Sequence, residues 1–173
     1  MFILTSGLPA SGKSKAIDIL SIGRNWNVIR PSDWVPDNLS TLGAEDGRAY
    51  RIACWSLAIE KTKEAIARTS PREVIVLDSG NSKFNTVAML IADAKTALHK
   101  VVLLFVHASV GLCLERNGDL TESLLRDYVG RLKQSLPHYK RVCDLFLPVR
   151  NNGSLEELAS ELHGVRLKLE KGD

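Results

Sequence analysis

Gly7, Leu8, Pro9, Ala10, Ser11, Gly12, Lys13 and Ser14 follow one another near the start of the chain. Their types and order suit a phosphate cradle. Two glycines permit backbone turns that aim several N–H groups at the same phosphate oxygens. A helix beginning where the turn ends adds the positive end of its dipole. The Lys13 ammonium can reach terminal phosphates, and the Ser14 hydroxyl can sit on Mg²⁺. The chemistry implied is the binding of a nucleoside triphosphate.

Further candidates are scattered along the 173 residues. Asp33, in the element Arg30-Pro31-Ser32-Asp33, could accept the proton of an attacking hydroxyl or hold that hydroxyl in line. A serine–aspartate pair after proline is also a common turn opener. Asp78 closes an apolar run, as a metal-linked carboxylate does, and would bind Mg²⁺ or orient Ser14. Asn81, beside Gly80, could touch an acceptor. Arg116 can close over the phosphates and offset developing charge, with Arg126 or Arg131 as a second cation. Arg150 opens the segment 150–154, which is placed to hold a purine. Trp34, next to Asp33, could stack on a base, whereas Trp55 lies on an apolar stripe and reads as core. Arg30, Lys83, Arg126, Arg131 and Lys133 could form a basic track. The four histidines show no pairing at ligand spacing.

These residues need elements to hold them. Short apolar runs over 1–6, 27–30, 74–78, 101–106 and 145–149 read as strands, several of them apolar on both faces as buried parallel strands are. Pro148 suggests an edge position for the last. Helical patterns cover 15–20, 48–68, 86–98, 110–116, 123–135 and 155–162, with Pro137 expected to stop the fifth. Ser154 and Glu157 have capping-box spacing. The stretch 34–43 reads as a loop or broken turn. Strands alternating with helices imply an α/β fold with a parallel sheet covered on both faces. Ligands in such sheets sit at the carboxyl ends of the strands, which would gather the phosphate loop, Asp33 and Asp78. Residues 1–165 form one domain, with a lid over about 110–135, and 166–173 read as a charged, frayed tail.

The chain is 45% hydrophobic and 25% charged with a net charge of +3. Composition therefore gives no general affinity for nucleic acid, and an anionic partner needs a local basic patch. Three cysteines without metal-ligand spacing or a secretory signal fit a reducing, cytoplasmic setting. No segment reads as a membrane span.

The loop 7–14, the Arg30–Asp33 element, the strand closing at Asp78, the Glu115-Arg116-Asn117 lid opening and the helix over 125–137 together resemble the P-loop kinases of the polynucleotide 5′-kinase branch. The resemblance implies a P-loop fold with strand order 2-3-1-4-5, ATP and Mg²⁺ as cofactors, Asp33 as general base and lid arginines on the phosphates. The acceptor it implies is a hydroxyl of nucleic acid, DNA favoured over RNA. Gly118-Asp119-Leu120 departs from the pattern, since further basic residues usually follow there. Stand-alone phage kinases acting on hydroxymethyl groups of modified DNA pyrimidines, such as 5-hydroxymethyluracil, are similar; for a phage protein the compartment would be the host cytoplasm. Kinases of nucleosides or small metabolites share the core. A nucleotide-dependent switch is a further class, against which a base opposite the γ-phosphate argues.

Overall fold

The computed structural model describes residues 1–34 and 44–171, so the expected loop over 34–43 lies outside the described residues beyond Trp34. Strands β1 (Phe2–Ser6), β2 (Trp26–Ile29), β3 (Val74–Leu77), β4 (Val101–His107) and β5 (Leu145–Arg150) form one sheet in the order β2-β3-β1-β4-β5. All neighbours are parallel, with Phe2 opposite both Ile75 and Val101. Helices α1 (Lys13–Ser21), α2 (Ala44–Arg68), α3 (Ala88–Thr96), α4 (Val110–Arg116), α5 (Glu122–Val142) and α6 (Leu155–Lys171) connect and flank the strands. A single turn of 3₁₀ helix, Pro31–Trp34, follows β2.

The continuous apolar strands are explained by burial on both faces. Side chains alternate across a strand. Phe2, Leu4, Ile75, Leu77, Val101 and Leu103 therefore pack with α2, α3 and Tyr139 of α5. The intervening Ile3, Val76, Val102, Leu104 and Val106 pack with α1 and α6. A third cluster joins Leu8 of the phosphate loop to Cys113 of α4 and to Leu125 and Leu132 of α5. Cys54 and Cys113 are buried thiols and Cys143 is half-buried. Among the described residues no helix is long and apolar enough to cross a membrane.

Three boundaries depart from the sequence reading by more than two residues. Helix α5 does not stop at Pro137 but continues to Val142. An interior proline costs about 3 kcal/mol by losing a hydrogen bond and crowding the preceding turn. Here Pro137 and Lys133 are both exposed, so water can reach the carbonyl that loses its amide partner. Buried Leu132, Ser135 and Tyr139 hold the other face of the helix. Helix α6 runs on to Lys171 rather than fraying after 165. Val165 and Leu169 extend the buried stripe of Leu158 and Leu162, and Arg24 pairs with Glu170. Helix α2 begins at Ala44, four residues before the expected start. The capping box at α6 forms as read: Ser154 N–H donates to Glu157 Oε2 at 2.8 Å, and Glu157 N–H to Ser154 Oγ at 3.3 Å. Pro148 lies on the edge strand β5.

Two contacts fix α5 to the turn after β3. The Tyr139 hydroxyl donates to Asn81 O at 2.8 Å, and the Ser135 hydroxyl to Ser82 O at 2.9 Å. Burial pushes the Tyr139 phenol well above its ordinary range, so it acts only as a neutral donor. Tyr139→Phe should cost about 1 kcal/mol, the net worth of one buried hydrogen bond, as a lower urea midpoint with an unchanged slope.

Candidate active site

Strand β1 delivers the chain into the phosphate loop, and α1 leaves it. Gly7 has φ 147° and Gly12 φ 91°. A Cβ on Gly7 would lie 2.2 Å from Val106 O, and one on Gly12 would lie 2.1 Å from Asn151 Nδ2. Ala10 also sits at positive φ, 58°, a conformation unusual for a residue with a Cβ. The surrounding strands and Asn151 thus leave this loop one shape. Inside it, Lys13 Nζ donates to Leu8 O at 2.6 Å and Gly7 O at 3.3 Å. Ser11 Oγ is buried with no hydrogen-bond partner, and Ser14 is exposed in the first turn of α1. A glycine-lined concavity, an ammonium held only by carbonyls and an unspent hydroxyl fit a triphosphate. Burial pushes the Lys13 ammonium down to about 8, against the pull of the Asp78 carboxylate.

Asp78, directly after β3, is almost wholly buried. Its Oδ1 accepts from Thr5 Oγ1 at 3.1 Å and its Oδ2 from Arg30 Nε at 2.8 Å. The single Thr5 hydroxyl hydrogen is shared between Asp78 Oδ1 and Ser79 O, 2.7 Å away, and Oγ1 accepts from Ser79 N–H. Arg30, expected at the acceptor, is thus engaged by Asp78 and, through its other arm, by Asp18 of α1. Asp33 lies in the turn beyond the edge strand β2, exposed, its N–H donating to Arg30 O. β2 is two strands from β1, a lateral offset of about 10 Å at ordinary strand spacing. Among the described residues no three His, Cys, Asp or Glu side chains converge as a metal cage. Mg²⁺ does not need one, since it is commonly held by one or two protein ligands plus phosphate oxygens; of the two groups expected to hold it, Ser14 is exposed and both Asp78 oxygens accept hydrogen bonds from Thr5 and Arg30.

On the other flank of the loop, sequence reasoning chose Arg150 and missed its neighbour. Val149 is buried, Arg150 exposed and Asn151 buried, following strand alternation. Asn151 N–H donates to His107 O, and its Nδ2 donates to Ser11 O at 2.8 Å. Its backbone carbonyl and Oδ1 accept from Arg116 at 3.2 and 3.3 Å. One amide therefore joins the phosphate loop, the end of α4 and the β5–α6 connection. Arg116, expected over the terminal phosphates, is held here, also donating to Gly153 O at 3.4 Å. It borders a cleft of about 270 Å³ with Gly12, Lys15, Ser154 and Leu155.

The opposite flank holds a larger cleft of about 410 Å³. Arg48, Arg51, Ile52 and Trp55 of α2 form one wall, residues 79–83 the floor, and Tyr128 and Arg131 of α5 the other wall. Arg131 lies over the Tyr128 ring, 5.3 Å from its centroid, and pairs with Asp127. Asn81 reaches this floor, but its side chain turns inward, Nδ2 donating to Thr5 O at 2.8 Å. Half-buried Trp55 packs against the core as expected and also reaches the cleft. Trp34 lies away from it, lining a separate groove between β2 and α2 with Lys61, Glu64 and Arg68. Arg126 pairs with Glu122 on the surface of α5. Five residues at 100° each place Arg126 and Arg131 about 140° apart, so only Arg131 faces the cleft. Arg48 and Arg51 went unread, although 48, 51, 52 and 55 have the i, i+3, i+4, i+7 spacing of one helix face.

No family model matches this sequence, and no curated protein matches it. Among solved structures, a gluconokinase from Sinorhizobium meliloti 1021 is similar at TM-score 0.62 and 18% identity, over 98% of this chain and 93% of that one. A protein from Chloroflexus aurantiacus j-10-fl is similar at TM-score 0.64 and 15% identity, over 99% and 97%. Kti12 of Chaetomium thermophilum, solved in complex with ADP-AlF3, is similar at TM-score 0.57 and 18% identity, over 95% and 97%. With these structures the chain shares its fold, a five-stranded parallel sheet covered by helices on both faces with a phosphate loop after the first strand. At these identities the likeness concerns architecture.

Two expectations follow from the nucleotide half. A bound triphosphate needs the Lys13 ammonium, whereas the free site releases its proton near pH 8. Affinity for ATP should be flat below that pH and fall above it by up to about tenfold per unit, with proton uptake on binding; calorimetry in buffers of different ionisation enthalpy reads both. Asn151→Ala removes the Ser11 and Arg116 contacts of the side chain and should weaken ATP binding by about tenfold, the worth of one to two hydrogen bonds, in a fluorescent-nucleotide titration.

Proposed function

We propose that this chain is a kinase that transfers the γ-phosphoryl group of ATP to a hydroxyl of a nucleic-acid acceptor, DNA before RNA. The observation that carries this reading is the lining of the larger cleft. Arg48, Arg51, Lys83 and Arg131 meet there with Trp55 and Tyr128, and among the described residues no carboxylate is in the lining. Cations with aromatic faces suit phosphodiesters and stacked bases, each stacked base being worth about 1–3 kcal/mol.

Lys13 holds the terminal phosphates and stabilises the charge that develops on them, while the backbone of Gly7–Ser14 fixes their position. Mg²⁺, held by Ser14 and Asp78 when bound, neutralises part of the phosphate charge. Arg116 and the Asn151 amide frame the purine side. Asp33 accepts the proton of the attacking hydroxyl. Arg131 and Lys83 hold the acceptor's own phosphate.

A second reading, a kinase of a small anionic metabolite, is supported by the fold likeness to a gluconokinase and by a cleft within the ordinary size of small-molecule sites. A labelled γ-phosphate screen over 5′-hydroxyl oligonucleotides, hydroxymethyl-pyrimidine DNA, nucleosides and gluconate separates the two. Transfer only to nucleosides or gluconate overturns the nucleic-acid reading. On the accepted substrate, Asp33→Asn should slow single-turnover transfer by about 10²–10⁴ with ATP affinity retained; normal transfer by this variant would remove Asp33 from the chemistry.

A further inference from the structure

The larger cleft does not end at the phosphate-loop side of α5. It shares Lys83, Thr86 and Arg131 with a second cleft of about 320 Å³. That cleft is lined further along α5 by Gln134, Ser135 and His138 and from below by Phe84 and Asn85. Tyr128 belongs to the first cleft and His138 to the second, so the run along the helix is about 15 Å at 1.5 Å per residue. The two cations shared by both clefts mark a waist between them. The first cleft is the nearer to the reacting phosphate, because its floor, residues 79–82, is bonded to Thr5 and Ser6 at the end of β1. The second extends toward the C-terminal end of α5. Among the described residues no carboxylate is in its lining, and His138 stacks on Phe84 with ring centroids 5.4 Å apart and planes 21° apart. Gln134 and His138 are exposed, so their polar edges are open to a ligand.

We infer that the acceptor is a single strand that occupies both clefts, its reacting unit in the first, the next nucleotide in the second, and the phosphodiester joining them on Lys83 and Arg131. This inference rests on the nucleic-acid reading above and adds a subsite to it. A waist of two cations between two polar clefts suits an anion flanked by two neutral, hydrogen-bonding units. A mononucleotide fills the first cleft and leaves the second empty; a dinucleotide uses the waist and both clefts.

The test compares γ-phosphate transfer to a nucleoside 3′-monophosphate, a dinucleotide and a tetranucleotide. Each carries a 5′-hydroxyl and 5-hydroxymethyluracil as its first base, so either hydroxyl can accept. The expected result is a rise in kcat/KM of about tenfold or more from mononucleotide to dinucleotide, with little further gain. In Gln134→Glu and in His138→Glu the dinucleotide-to-mononucleotide ratio should fall toward one. Because the readout is a ratio within one preparation, loss of folded protein does not mimic it. Equal kcat/KM on mono- and dinucleotide, or a ratio unaltered in both variants, overturns the second subsite and leaves the nucleic-acid reading standing. Transfer to gluconate or free nucleosides alone, with none to any of the three, overturns that reading and the subsite with it.

Discussion

Asp78 is a carboxylate with 1% of its side chain exposed, and an unpaired charge at such a position would not be tolerated. Thr5 of β1 and Arg30, just past β2, satisfy it, and Arg30 reaches on to Asp18 of α1. One buried negative charge thus fastens the carboxyl ends of three adjacent strands and the helix after the phosphate loop. Removing one partner from such a pair leaves the other uncompensated, a penalty of about 3–5 kcal/mol. The same charge lies close enough to Lys13 to oppose the loss of its proton. The position of the loop, the turn bearing Asp33 and the charge state of the phosphate-binding lysine all depend on this arrangement.

The two halves of the site are built by different means. The nucleotide half is made of backbone: glycines at positive φ, carbonyls and one buried amide, Asn151. The half proposed for the acceptor is made of long side chains on α2 and α5, standing on a floor that Asn81 and Tyr139 hold from beneath. Backbone geometry is hard to vary without breaking the sheet, whereas arginines and lysines can be exchanged at little cost to the fold.

That division also explains what the sequence disclosed. The phosphate loop was legible because its residues are contiguous and its backbone makes the site. The strands were legible because burial on both faces leaves unbroken apolar runs; their order was supplied by resemblance, as local patterns do not encode neighbours. The direction in which single side chains point was less legible. Trp34 and Trp55, or Arg126 and Arg131, differ in which way a turn or helix faces, and tertiary packing decides that. Asn151 was overlooked because a lone asparagine in a polar loop gives no signal until the strand before it sets its direction. Pro137 misled because its cost, real in isolation, is outweighed by the buried face of α5.

Helix α5 spans 21 residues, about 31 Å, and among the described residues its hydrogen bonds to the turn after β3 come from its lower half, at Ser135 and Tyr139. Its upper half shares an apolar cluster with Leu8 of the phosphate loop. Taken as a lever pivoting at Ser135, a tilt of 10° displaces Glu122 by about 3 Å. Leu125 and Leu132 would carry that displacement into the loop that holds Lys13. The α5 face that lines the larger cleft and the loop that holds Lys13 are thereby joined through the packing of one helix.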